Sequence, residues 1–180
     1  MDGFHLTRAE LDALPNAAEA HLRRGAPWTF DAGKLLAFAR ALRALPVPSE
    51  AAHAVEPLYA PSFDHARKDP VERDVRIDPV ARVVVLEGLY LSLGTGLWRD
   101  ICAEMDELWF LEADREVARQ RLVERHVLSG VARDREEAER RAGGSDALNA
   151  EEIVRHRLGV DEVVVSTEDD RWKGSTLEED

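Results

Sequence analysis

The chain has 180 residues, enough for one domain with a real core. Hydrophobic residues make up 44% and charged residues 33%, a balance that excludes a disordered chain, and no apolar run approaches the roughly 20 residues a bilayer requires. The formal net charge of −12 disfavours nucleic acid and anionic membranes as partners, except where basic residues are locally concentrated, as they are between Arg115 and Arg141.

In chain order, Met1-Asp2-Gly3-Phe4-His5-Leu6 opens with no room for a strand before Asp2. Thr7 and Glu10 have the capping-box spacing and predict a short helix through Leu11 and Leu14, stopped near Pro15. Asn16 and Glu19 repeat the spacing and predict a second short helix toward Gly25, with Pro27 as a breaker. Asp31 caps a longer helix over 32–45. There Leu35, Leu36, Phe38, Ala39, Leu42 and Leu45 follow the three/four spacing of one buried face, and Pro46 and Pro48 end it.

From Ser49 to Pro79 no period is sustained. Pro57, Pro61, Pro70 and Pro79 exclude a helix, leaving a long excursion with short strands at most. Excursions of this length inside a compact domain are usually functional. This one holds Pro57-Leu58-Tyr59-Ala60-Pro61-Ser62-Phe63-Asp64-His65, dense in side chains that bind ligands.

Val83-Val84-Val85-Leu86 then reads as a strand buried on both faces, with Glu87 and Gly88 at its C-terminal end. Ligands in open α/β sheets bind at such strand ends, so Glu87 is either a site acid or a solvated strand-end glutamate. A helix follows from about Leu97 to Met105. The run 107–111 reads as the next buried strand, closing on Glu112 and Asp114. Asp114 caps a helix from Arg115 to Ser129, with Gly130 at its exit. Asp134 opens a charged helix ending at Gly143-Gly144, and Asn149, with Glu152, caps one through Leu158. Residues 162–166 form the last strand. The acidic tail 167–180 is expected to be mobile, leaving a single domain over 1–166 of strand–helix–strand order with a parallel sheet and a helical entry.

The lone Cys102 and the absence of a charged-then-apolar leader point to a reducing, cytoplasmic setting. The histidines His5, His53, His65, His126 and His156 show no zinc-ligand spacing, and no Gly-x-Ser-x-Gly occurs. Arg115, Arg119, Arg121, Arg125, Arg133, Arg135, Arg140 and Arg141 are either a solvated face partnered by Glu116 and Glu124 or, in so acidic a chain, a phosphate-facing surface.

Four stretches in order resemble one family. They are Met1-Asp2-Gly3-Phe4-His5, Tyr59-Ala60-Pro61-Ser62-Phe63-Asp64-His65, Val83 to Gly88, and Glu112-Ala113-Asp114 with Arg119 to His126. Together they are similar to the uridine kinase, phosphoribulokinase and pantothenate kinase group of P-loop kinases, closest to its bacterial nucleoside/nucleotide kinase-like branch. The resemblance spans Met1 to about Ser166. It implies a three-layer nucleoside-kinase-like α/β fold and ATP-dependent phosphorylation of a hydroxyl on a small molecule, with ATP and Mg²⁺ as cofactors.

By the same resemblance, Asp2 is the general base and Glu87 the catalytic acid near the magnesium. His5, Tyr59, Phe63, Asp64 and His65 lie on the substrate side, and Arg119, Arg121 and Arg125 form a lid over the phosphates. Tyr59 and Phe63 could equally be core aromatics.

The departure from the family is the phosphate loop, Gly-x-x-x-x-Gly-Lys-Ser/Thr. Gly33-Lys34 is followed by Leu35, and Trp28 stands where the first glycine belongs, so no such loop occurs in the 180 residues. A βαβ unit of about 30 residues is missing before Asp2. In the family its first strand lies between the strands matching 83–86 and 108–111. Two readings follow. Either the chain is a fragment of a complete kinase, Met1 being an internal methionine read as a start, or it is a degenerate relative with a binding or regulatory role. In both, the 180 residues alone are expected to be a poor kinase or none.

Overall fold

The structure, a computed structural model, describes residues 1–46 and 55–167. The expected mobile tail beyond Thr167 and the start of the long excursion, 47–54, lie outside the described residues.

The helices form where local capping dictates. Helix α1 (Arg8–Asp12) opens on Thr7, with both halves of the capping box in place. Helix α2 (Ala17–Leu22) follows, but Asn16 does not cap it; its amide bonds the Glu19 carboxylate instead, at 3.2 Å. A 3₁₀ turn at Pro27–Thr29 leads to α3 (Ala32–Arg43), whose first turn Asp31 caps through the Lys34 N–H. Leu35, Leu36 and Ala39 are its buried face.

The excursion contains more order than its prolines suggest. Strands β1 (Leu58–Asp64) and β2 (Asp69–Ile77) pair as an antiparallel hairpin. Pro61 has no N–H to donate, and it falls where the ladder breaks: Ala60 pairs with Val75 and Ser62 with Val71, so Glu72–Asp74 bulge outward. Pro70 heads β2 opposite Phe63. The prolines that exclude a helix are thus placed where a hairpin tolerates them.

The expected strand at Val83–Leu86 does not form. The segment carries no regular structure, and Val83 and Val85 are 80% and 84% exposed. A β-branched run becomes a buried strand only when neighbours take its backbone groups, and no described strand pairs with it. Only Leu86 packs toward the core.

Helix α4 (Gly96–Cys102) precedes β3 (Trp109–Glu112). Strand β3 pairs in parallel with β4 (Glu162–Val165), as the strand–helix order predicts, in the register Trp109↔Glu162 to Glu112↔Val165. The expectation that these strands are buried fails, since Trp109 and Leu111 are exposed and β4 is exposed throughout. Among the described residues no element covers their outer face.

Between these strands run α5 (Arg115–Leu128), capped by Asp114 through the N–H groups of Glu116 and Val117, and α6 (Arg135–Arg141), capped by Asp134. A π-helical turn at Ala142–Asp146 joins α6 directly to α7 (Ala147–His156). Asn149 is therefore not a cap. It lies buried inside α7, and its amide donates to the Gly25 carbonyl.

The main core gathers Phe4, Phe30, Leu35, Tyr90, Leu93, Trp98 and Ile101, with Met1, Leu86 and Phe110 against its margin. Phe30 and Tyr90 meet Trp98 in edge and tilted ring contacts at 6.0 and 5.2 Å. A smaller cluster of Val123, Ala132, Ala138 and Ala142 holds α5 to α6. Cys102 is a core residue. Burial pushes its thiol up to about 11, and its Sγ donates to the Leu91 carbonyl at 3.0 Å.

Candidate active site

The turn at Asp2–Phe4 is the point on which three of the four motif stretches converge. Gly3 packs directly against β1: a Cβ there would stand 2.0 Å from the Pro61 carbonyl oxygen. Only glycine allows that approach. On the other side, the Met1 amine bonds the Glu87 carbonyl, and a Cβ on Gly88 would lie 2.2 Å from the Met1 side chain. The Asp2 turn is thus wedged between the hairpin and the Glu87–Gly88 stretch. Asp2 itself is exposed at this junction.

His5 leaves the turn with its ring between two aromatics, Phe30 at 3.9 Å and Phe63 at 5.2 Å. Burial lowers its proton affinity, which holds the imidazole neutral. Its Nδ1 lies 2.8 Å from the Asp2 carbonyl, an acceptor, so Nδ1 carries the proton and Nε2 the free lone pair. Phe63 and His65 meet at 5.3 Å, so His5, Phe63 and His65 form a stepped row of rings.

Asp64 has a local task. Its Oδ1 accepts from the N–H groups of Arg67 and Ala66, which holds its carboxyl below the usual range and fastens the hairpin turn. Tyr59 lies under the Arg73 guanidinium at 4.4 Å.

Two arginines without any spacing signal in the sequence belong to this neighbourhood. Arg24 pairs with Asp69, donates to the Leu6 and Lys68 carbonyls, and stands over the Phe63 ring at 5.5 Å. It fastens the turn region to the hairpin. Arg73 sits in the bulge with φ of +55°, a left-handed conformation costly for a side-chain-bearing residue. Its neighbours anchor the bulge: Glu72 pairs with Lys34, and Asp74 accepts from Ser62 Oγ at 2.6 Å. Lys34 is therefore a helix lysine bound to the hairpin.

The three lid candidates lie on α5. Arg119 is fixed on Glu116 of its own helix by a two-pronged pair, which holds the Glu116 carboxyl down to about 2. Arg121 donates to Ser166 Oγ at 3.0 Å, just past the C-terminal end of β4. Arg121 and Arg125, with Glu124, Leu128 and Ser129, line an open hollow of about 460 Å³. Neither Arg119 nor Arg125 bonds Asp2 or Glu87 among the described residues.

Among the described residues no group of three His, Cys, Asp or Glu side chains converges, so no all-protein metal cage is built. Mg²⁺ carried by a nucleotide needs only one or two protein carboxylates, and Glu87 is the acid that the family resemblance offers for it. The Gly-rich loop that would cradle the ATP phosphates does not occur in the 180 residues.

The chain is 51% identical to the ATP-dependent kinase-like protein notR' of Aspergillus versicolor, over 91% of this chain and 92% of that relative. It is 37% identical to a candidate uridine kinase of Schizosaccharomyces pombe, over 91% of this chain and 66% of that protein. It belongs to the uridine kinase-like family of P-loop kinases. The crystal structure of YFH7 from Saccharomyces cerevisiae, described as a candidate P-loop containing kinase with a circular permutation, superposes with a TM-score of 0.78 at 30% identity. That superposition covers 94% of this chain and 57% of YFH7, so the chain spans little more than half of that relative. No family model matches the chain. The fold is thus the α/β fold of P-loop kinases. No helix among the described residues is long and apolar enough to cross a membrane.

Proposed function

We propose that this chain forms the acceptor side of an ATP-dependent kinase that phosphorylates a hydroxyl of a small molecule, with Asp2 as the base. The observation that carries this reading is the wedge at Gly3. It fixes the exposed Asp2 between the aromatic row of the hairpin and Glu87. His65, exposed at the end of the row that His5 and Phe63 begin, offers its ring to a flat acceptor such as a nucleoside, and Tyr59 stands on β1. The Asp2 carboxylate takes the proton as the hydroxyl attacks. Positioning and charge neutralisation dominate such transfers. Glu87 is the acid that would hold the Mg²⁺ of the nucleotide. Arg121 and Arg125 are the arginines of α5 that supply the phosphate-facing charge. The site works in the cytoplasm on a soluble acceptor.

The donor side requires a Gly-rich loop. One preorganised donor of that kind is worth about 10²–10³ in rate, and such a loop offers several. The 180 residues alone are therefore inactive or nearly so.

A second reading, a non-catalytic binding or regulatory role, is favoured by one observation. The match to notR' leaves less than a tenth of that relative uncovered, too little for a βαβ unit of about 30 residues. The coding sequence upstream of Met1 separates the readings: an open frame with the Gly-rich loop favours the kinase, and a stop codon favours the binding role. In a loop-bearing form, a screen of uridine-like, pantothenate-like and sugar acceptors identifies the substrate. Asp2→Asn should then lower kcat by about 10²–10⁴-fold with little change in KM. An unchanged kcat removes Asp2 from the chemistry.

A further inference from the structure

Strand β4 ends at Val165, and the chain leaves the sheet alongside α5. The Ser166 N–H donates to the Glu112 carbonyl at 2.7 Å, one more rung beside β3, and Arg121 of α5 donates to Ser166 Oγ at 3.0 Å. The segment that follows Thr167 therefore starts beside Arg121, on the rim of the α5 hollow.

Arg121, Glu124, Arg125, Leu128 and Ser129 recur at three- and four-residue steps, so the hollow runs as one stripe along α5. Two features set this stripe apart. Arg119, Arg133, Arg135 and Arg140 each pair with a glutamate three or four residues away, whereas Arg125 forms no ion pair among the described residues. Leu128 is 88% exposed, more than any other large hydrophobic side chain among the described residues.

The sequence past Thr167 complements the stripe. Glu168-Asp169-Asp170 set three carboxylates in a row, followed by Arg171 and Trp172. Arg125 lies one helical turn beyond Arg121, about 6 Å along the axis, and Leu128 about 10 Å. An extended chain advances about 3.3 Å per residue, so residues 168–172 reach both from Ser166. We propose that the segment 168–172 docks along this stripe of α5, with its carboxylates on Arg125 and the Trp172 indole over Leu128. Arg171 then meets Glu124, the acid of the stripe. The contact is autoinhibitory, a consequence that rests on the kinase reading of Arg121 and Arg125: the docked segment covers the arginines that a phosphate group would take, and phosphate must displace it.

Trp172 fluorescence in the full 180-residue chain tests the docking, read as the difference between the wild-type spectrum and that of Trp172→Phe. The expected emission lies at shorter wavelength than that of a free peptide of residues 168–180, is less quenched by acrylamide, and is unchanged on dilution. Arg125→Glu and Leu128→Ser, both at exposed positions of α5 that leave the core intact, should each move the emission to that of the peptide. Arg135→Glu, on α6, should leave it unchanged. A wild-type emission equal to the peptide's, or one that neither α5 variant moves, overturns the docking. An emission that shifts on dilution assigns the hollow to the segment of a second copy and overturns it as well. Tripolyphosphate, compared with sodium chloride at matched ionic strength, tests the autoinhibitory part separately. Greater release of Trp172 by tripolyphosphate supports it, and equal release removes the phosphate-facing role from Arg121 and Arg125 while the docking stands.

Discussion

His5 shows how one residue's surroundings set its chemistry. Burial between Phe30 and Phe63 depresses its affinity for protons. The unfolded chain takes up a proton near pH 6.5, whereas the folded chain does so only at lower pH. Between the two, the unfolded state binds more protons, so stability is full above about pH 6.5 and falls as the pH drops below it. Urea midpoints measured from pH 7.5 to 5.5 should fall more steeply for the wild-type chain than for His5→Gln. Equal slopes would mean that His5 is solvated. Gly3 makes a second residue-scale prediction. Gly3→Ala sets a methyl group against the Pro61 carbonyl and should destabilise the chain by about 1–3 kcal/mol, the usual cost of overpacking, read as a lower urea midpoint. An unchanged midpoint would show that the turn does not dock on β1.

At the scale of elements, the hairpin turn carries a correctable strain. Lys68 sits at φ +58°, where glycine is at ease, and its role in the turn is its backbone carbonyl, which accepts from Arg24. Lys68→Gly keeps that carbonyl and should stabilise the chain by up to about 1 kcal/mol, a higher urea midpoint. A lower midpoint would show that the lysine side chain matters more than its backbone. The elements also show what a sequence can reveal. The helices were legible at Thr7, Asp31, Asp114 and Asp134 because a cap is decided within four residues. The strand expected at Val83–Leu86 was not, because its burial depends on neighbours far away in the chain. The hairpin was hidden by Pro61 and Pro70, whose tolerance depends on ladder register that a single strand's sequence does not display. Asn149 misled for a related reason: its amide is spent on Gly25, more than a hundred residues away.

Across the whole molecule, the order of the motifs foretold that the Asp2 turn, the hairpin and Glu87 would meet, and contacts at Gly3, Met1 and His5 bring them together. The order did not reveal Arg24 or Arg73, since a lone arginine carries no periodic signal, nor that Asp64 serves the hairpin turn. The apolar side of the molecule is equally telling. Trp109 and Leu111 of β3 and Val165 of β4 are exposed, as are Val83 and Val85 of the irregular segment, an apolar surface that a covering strand or helix would normally bury. On the proposed reading, the acceptor side of a P-loop kinase is present here, and the Gly-rich loop of its donor side does not occur in the 180 residues. Phosphoryl transfer from radiolabelled ATP to uridine, pantothenate and hexoses by the 180-residue chain tests this most directly. The expected turnover is at least about 10⁴-fold below the 1–100 s⁻¹ typical of kinases, since several preorganised donors are missing. Turnover within that typical range, lost in Asp2→Asn, would show that these 180 residues hold a complete active site and would contradict the account.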